Sequence, residues 1–265
     1  MRRLVMALLA GIAVAVTAAA PAAAQDGDGG AEPPPDVEVL QVVGLFDHIV
    51  VGAIADAIDR TSDVGSQALV LQVDTRGAIV SDDEMAGLLD RIASSPVTIA
   101  IWVGPSGARL YGTPAQMLAV ADVTGMAPGS RVGNVGEPVG DVVLGPALNA
   151  LESDTVGLSD ARALGVFRQR IPDEGIAAIR NMLDALDGYE KNGVVLDTTI
   201  EEVTDSGTVQ RTTIATAVFS KLGLVDQLFH TAASPPVAYL LLLIGLSLII
   251  FEFYTAGIGI AAAVG

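Results

Sequence analysis

Residues able to do covalent chemistry are few in this chain and unevenly spread. The stretch "GPSGARLYGTPA", residues 104–115, lies between a strand-like apolar run (VTIAIWV) and a helix-like run (QMLAVA), and it carries Ser106, Tyr111 and Thr113. A strand-to-helix loop is a common seat for a nucleophile. Ser106 in "GPSG" reads as a nucleophile candidate or as a turn residue. Thr113 can attack a carbonyl only beside a base. It also reads as a helix N-cap with Pro114 at the first helical position, and the proline holds it toward extended backbone. Bases are scarce: two lysines, Lys191 in the polar turn "GYEKNGV" and Lys221 in an amphipathic run, and two histidines, His48 at a strand edge and His230 beside the apolar C-terminal segment. Arginine stays protonated and cannot serve. The sequence has no Cys, which removes thiolate nucleophiles and disulfides, and with two His it offers no zinc set. No cofactor is expected. A second loop, "DTRGA" (Asp74–Ala78), follows a strand and precedes a helix, so the N–H groups of Gly77 and Ala78 can face a developing oxyanion. Arg76 and Arg109 flank the two loops, either as holders of an anion or as solvated side chains.

These loops must be held by the elements around them, which alternate in type. "VEVLQVVG" and "HIVV" read as strands, "AIADAIDRTSD" as a helix, "QALVLQVD" as a strand and "SDDEMAGLLDRIASS" as a helix. "VTIAIWV" follows as a strand, "PAQMLAVA" as a helix and "DVTGMA" as a short strand. Strand-length apolar runs between helical periodicities predict βαβ units and a parallel sheet covered on both faces. Ser81 and Glu84 form a capping box, which accounts for the acids of that helix without catalysis. Beyond residue 170, "PDEGIAAIRNMLDALDG" predicts a helix, "GVVLDTT" and "GTVQRTT" a hairpin, and "IATAVFSKLGLVDQLF" an amphipathic helix.

Charge and the chain ends bound the function. The 265 residues hold 31 Asp and Glu against 14 Lys and Arg, a formal charge of −17 that becomes −19 if residues 1–24, with Arg2 and Arg3, are removed. Such a surface excludes a nucleic-acid partner, which requires a basic face. Arg2 and Arg3, an apolar middle, and Ala22 and Ala24 in A-x-A spacing predict a signal peptide over 1–24. The Gly-, Pro- and acid-rich residues 25–36 predict a disordered linker. "VAYLLLLIGLSLIIF", Val237–Phe251, is uncharged and predicts a membrane anchor, somewhat shorter than a comfortable span. The apolar residues after it suggest a second span inside which the sequence is cut short. The expected organisation is therefore signal peptide 1–24, linker 25–36, soluble domain 37–232 and membrane region 233–265, with the soluble domain on the extracytoplasmic side of the cell membrane.

The order "LVLQVDTRGAIVSDDEMAGLLDRIASSPVTIAIWVGPSGAR", "MAPGSRVG", "LSDARALGV", "YEKNGVVLDTT" and the C-terminal apolar segment resembles the NfeD proteins over nearly the whole chain. These are membrane-anchored proteins with a ClpP-like, crotonase-type domain, described as ClpP-class serine proteases. The resemblance implies an α/β parallel-sheet domain followed by transmembrane segments, a Ser/Lys dyad, an oxyanion turn, a stomatin-like membrane partner and a homo-oligomer. It places the nucleophile about fourteen residues ahead of Met126, which is Gly112 in this sequence. The family's lysine is expected after the MAPG loop, but residues 135–158 contain none. In the oxyanion turn the second family glycine is Ala78, and Arg76 stands where the family has proline. The sequence thus predicts a catalytically degenerate relative, with an active endopeptidase using Thr113 or Ser106 as the alternative.

Overall fold

The computed structural model describes residues 36–167, 175–203, 209–220 and 235–255. The expected signal peptide, all but the end of the linker, and both Lys221 and His230 lie outside the described residues. In chain order the elements are β1 (Val37–Phe46), α1 (His48–Val64), β2 (Ala68–Ala78), α2 (Asp82–Ala93), β3 (Thr98–Val103), β4 (Arg109–Tyr111), a 3-10 turn (Thr113–Gln116) and α3 (Met117–Val120). They continue with β5 (Val123–Met126), β6 (Arg131–Gly133), α4 (Gly145–Asn149), β7 (Thr155–Gly157), α5 (Leu158–Leu164) and α6 (Ile179–Leu186). Last come β8 (Glu190–Lys191), β9 (Val194–Val195), β10 (Thr199–Val203), β11 (Val209–Thr213), β12 (Ala217–Ser220) and the terminal helix α7 (Pro235–Thr255).

Alternation along the central strands builds two cores. In β2, Leu69, Leu71 and Val73 enter one cluster and Ala68 and Val70 the other. In β3, Ile99, Ile101 and Val103 side with the first cluster and Ala100 and Trp102 with the second. Residues two apart share a sheet face, so strands apolar at every position require cover on both sides. Helices α1 and α2 cover one face through Ile54, Ile58, Met85 and Leu89, and α6 covers the other through Met182, Leu183 and Leu186. The Trp102 indole fixes the second layer by donating to the Ile176 carbonyl at 2.9 Å.

The sheet forks at β2, and the fork creates the site. β2 pairs in parallel with β1 along its whole length and, over Ala68–Val73, with β3, which pairs in turn with β5. Beyond Val73, β2 instead meets β4, with Thr75 opposite Leu110, and the branch continues through β6 to an antiparallel β7. Two small hairpins, β8–β9 and β10–β11, stand outside the main sheet.

Several elements differ from the sequence reading. "HIVV" opens α1 rather than forming a strand, because the Asp47 carboxylate accepts the Val50 N–H at 3.0 Å and starts the helix at His48. The start of the expected C-terminal amphipathic helix, Ala217–Ser220, is β12, paired in parallel with the open edge of β1. "GTVQRTT" pairs with Thr199–Val203 instead of with "GVVLDTT". "PAQMLAVA" is a 3-10 turn followed by a four-residue helix. The expected capping box is present: the Ser81 hydroxyl accepts from the Glu84 N–H at 3.3 Å, while the Ser81 N–H donates to the Glu84 carboxylate at 3.1 Å. Helix α7 is longer than the apolar stretch suggested. Its window Pro236–Tyr254 is long and apolar enough to cross a membrane, the only such helix among the described residues, and its 21 residues span roughly 30 Å.

Candidate functional site

The register of the fork brings the two loops together. Thr75 lies opposite Leu110, so two residues further on Gly77 comes beside Gly112. A Cβ built on Gly112 would lie 3.5 Å from the Gly77 Cα and 3.9 Å from the Ala78 nitrogen. Gly112 caps the 3-10 turn with φ 79 and ψ −164, a conformation that side-chain-bearing residues rarely adopt. A group projecting from this position would lie beside the Ala78 nitrogen of the "DTRGA" turn, and here none projects.

The surrounding residues hold both loops in place. The Thr75 hydroxyl, fully buried, donates to the Gly77 carbonyl at 3.0 Å and shapes the turn from within. The Asp74 carboxylate accepts the Arg109 N–H at 2.9 Å and ties the end of β2 to the start of β4. Among described non-glycine residues only Asn134 and Asn192 have positive φ, so Ala78 retains the negative φ that lets alanine replace glycine in the turn without strain. Beneath the loop, Gln116 is fully buried, donating to the carbonyls of Val135 at 3.1 Å and Glu137 at 2.7 Å and accepting the Val139 N–H at 3.0 Å. Sequence reasoning missed this side chain; its one signal was a lone amide inside the apolar run "PAQMLAVA".

The other candidates are dispersed. Ser106 is exposed at the tip of the β3–β4 connection. Thr113 is half-buried and sits inside the 3-10 turn, not at its cap. Gly112 takes the cap position because its positive φ turns the chain one residue earlier, and Pro114 is tolerated in the first turn, where its missing N–H has no partner to lose. His48 is exposed on the first turn of α1, not at a strand edge, and its charge reaches Glu84. The Ser81 N–H, then the Ser81 hydroxyl, hold the Glu84 carboxyl below its ordinary range, with His48 a lesser influence.

Lys191 is committed elsewhere. Its ammonium donates to the Asp122 carboxylate at 2.6 Å and the Val97 carbonyl at 3.1 Å, and the same carboxylate oxygen accepts the Ile99 N–H at 2.8 Å. Val97 precedes β3, whereas the Gly77–Gly112 pair lies past the opposite ends of its neighbours. One six-residue strand separates the two ends by roughly 20 Å. Lys191 therefore lies far out of proton-transfer range of Gly112.

No family model matches the chain, and no curated protein is similar to it in sequence. Solved structures are similar in fold. The 1510-N membrane protease specific for a stomatin homolog, from Pyrococcus horikoshii, matches with TM-score 0.54 at 15% identity, covering 76% of this chain and 99% of that one. A lysine-to-alanine mutant of the 1510-N membrane-bound stomatin-specific protease, in complex with a substrate peptide, matches with TM-score 0.54 at 16% identity, covering 75% and 97%. A serine-to-alanine mutant matches with TM-score 0.52 at 16% identity over 72% and 98%. The α/β parallel-sheet fold implied by the resemblance to the NfeD proteins is thus the fold this chain shares with a membrane-bound, stomatin-specific protease.

Proposed function

We propose that this chain is a membrane-anchored, ClpP-class, NfeD-like protease homologue that has lost its chemistry and acts as a binding or assembly partner at the membrane. One observation carries the reading: the position facing the Ala78 nitrogen is Gly112, which has no hydroxyl to offer. The base fails separately. Lys191 is paired at the far end of β3, and residues 135–158 hold no lysine. Backbone donors alone supply one electrostatic term without nucleophile or proton transfer; in a serine protease stripped of its triad such remnants leave roughly 10³–10⁴-fold catalysis over water, against about 10⁶ lost. The membrane anchor is α7, and the soluble domain belongs on the extracytoplasmic side. By the specificity of the 1510-N protease, the partner is a stomatin-like membrane protein, engaged by a homo-oligomer of this chain.

The test is fluorophosphonate labelling and apolar-peptide cleavage by the full chain in detergent. We expect neither. Labelling at Ser106 or Thr113 that disappears on substitution by Ala restores an active endopeptidase with a non-standard nucleophile. Protease shaving of spheroplasts tests the topology: digestion of the soluble domain supports it, and protection refutes it.

A further inference from the structure

The branch β4–β6 beside the Gly112 turn carries unneutralised positive charge on an acidic protein. In the β4–β6 register Arg109 lies directly opposite Arg131, and Leu110 opposite Val132. Leu110, Val132 and Thr75 are fully buried on one face, so Arg109 and Arg131 share the other face, as does Arg76, next after Thr75. Arg131 and Arg76 are exposed and Arg109 is half-buried. Neighbouring strands stand about 4.8 Å apart, and like charges side by side at that spacing work against the fold.

Of the chain's 31 acidic residues, none among those described forms an ion pair with these three arginines. Arg76 and Arg109 meet no carboxylate within ion-pair distance among the described residues, while Arg60, Arg91 and Arg211 all do. Arg131 spends its guanidinium on neutral groups, donating to the Thr155 carbonyl at 2.6 Å and hydroxyl at 2.9 Å, which fixes its direction. The only acid in these strand segments is Asp74, and one of its oxygens already accepts the Arg109 N–H. Guanidinium forks match carboxylates bidentately.

We propose that the Arg76–Arg109–Arg131 face binds an acidic polypeptide segment, laid along the branch toward the Gly77–Gly112 turn. A short peptide feels the arginines within a Debye length of roughly 8 Å, whereas an extended anionic bilayer feels the whole negative chain and is repelled. The inference gives the binding reading above its ligand class. Its test does not depend on that reading, because it measures equilibrium binding and not labelling or cleavage.

The experiment uses the full chain in neutral detergent and a fluorescent peptide alternating Glu and Ser, with Gln-for-Glu and Lys-for-Glu analogues. The Glu peptide binds, the two analogues do not, and added salt weakens binding. Arg109→Gln and Arg131→Gln each weaken it roughly tenfold, the scale of one lost charge-assisted contact. Arg180→Gln, on the exposed start of α6, leaves it unchanged. Circular dichroism checks that each variant folds. Equal binding of the Gln analogue, or no effect of either arginine variant, overturns the proposal. Arginine-dependent binding to phosphatidylglycerol vesicles without peptide binding overturns it in favour of a membrane surface.

Discussion

The two ends of the parallel sheet are built on different chemistry. Where β2, β3 and β5 begin, ionised and amide side chains are densely committed. Lys191 holds Asp122, the Gln67 side chain exchanges hydrogen bonds with the Asp197 backbone at 3.0 and 2.8 Å, and Asp187 collects the N–H groups of Thr198 and Thr199 and the Arg211 guanidinium. Where β2 and β4 end, the Gly77–Gly112 meeting point is made of main chain and glycine, with its fixed side chains turned inward. A proteolytic centre needs the reverse arrangement, with its proton-transfer group at the end where the loops converge. On the reading proposed above, the convergent end is kept as a shape, while Lys191, one of the chain's two lysines, serves as a structural tether to Asp122.

If the convergent end is a shape, removing its close backbone approach is the most damaging change. A Cβ on Gly133 would overlap the Asp154 carbonyl and lie 2.7 Å from the Thr155 Cα, at φ 146. Gly133 also pairs with Tyr111, one residue before Gly112. We expect Gly133→Ala to cost about 4 kcal/mol, at the severe end for a single substitution. Chemical denaturation measures it, and a loss under about 1 kcal/mol would mean that β6 and β7 can separate freely.

Next in size is Gln116→Leu. The leucine fills the site but strands the carbonyls of Val135 and Glu137 and the N–H of Val139, the first and last of which are buried. We expect a loss of about 2–4 kcal/mol, with proteolytic nicking concentrated in the 134–144 loop. Unchanged stability would show that this loop does not depend on the turn beneath Gly112.

The parallel sheet was legible because β2 over Ala68–Leu71 and β3 over Ile99–Val103 are continuously apolar, and the capping box because Ser81 and Glu84 sit three apart. The fork was not. β4, β6 and β7 are three residues each, too short for periodicity, and they are defined by partners distant in sequence. "HIVV" was ambiguous for the same reason, with Asp47 as the cue that decides it. Motif order put Gly77, Ala78 and Gly112 in two separate loops, and the approach of those loops follows from register. Gln116 and the Arg109–Arg131 pairing were hidden, since both arise from the fork itself.

The far end offers a smaller, pH-dependent handle. Burial works to raise the Asp187 pKa, but the N–H groups of Thr198 and Thr199 and the Arg211 charge outweigh it, and the net shift is downward. A carboxyl depressed in the folded state stabilises above its unfolded value and loses that contribution as pH falls through the folded one. We expect Asp187→Ala to cost about 2 kcal/mol at neutral pH, from lost hydrogen bonds to an ionised group. The gap between the variant and the parent should narrow as pH falls below about 4. Thermal melts at a series of pH values measure this, and a gap that stays constant would show that the clamp does not depend on ionisation.

The smallest expected effect on stability bears most directly on the comparison. Gly112→Ser places a hydroxyl facing the Ala78 nitrogen. The nearest non-adjacent atoms to its Cβ are at 3.5, 3.6 and 3.9 Å, so there is room, and the cost is the φ of 79 alone, about 1 kcal/mol at the low end for strained backbone. The hydroxyl would stand where attack on a carbonyl is geometrically reasonable but without a base, because Lys191 is held by Asp122 a strand length away. We therefore expect Gly112→Ser to fold, to melt slightly below the parent and to stay unlabelled by a fluorophosphonate. Labelling of the introduced hydroxyl would reveal a proton acceptor at the convergent end. The two ends would then differ by one missing atom group, and the lost chemistry would be a single substitution deep.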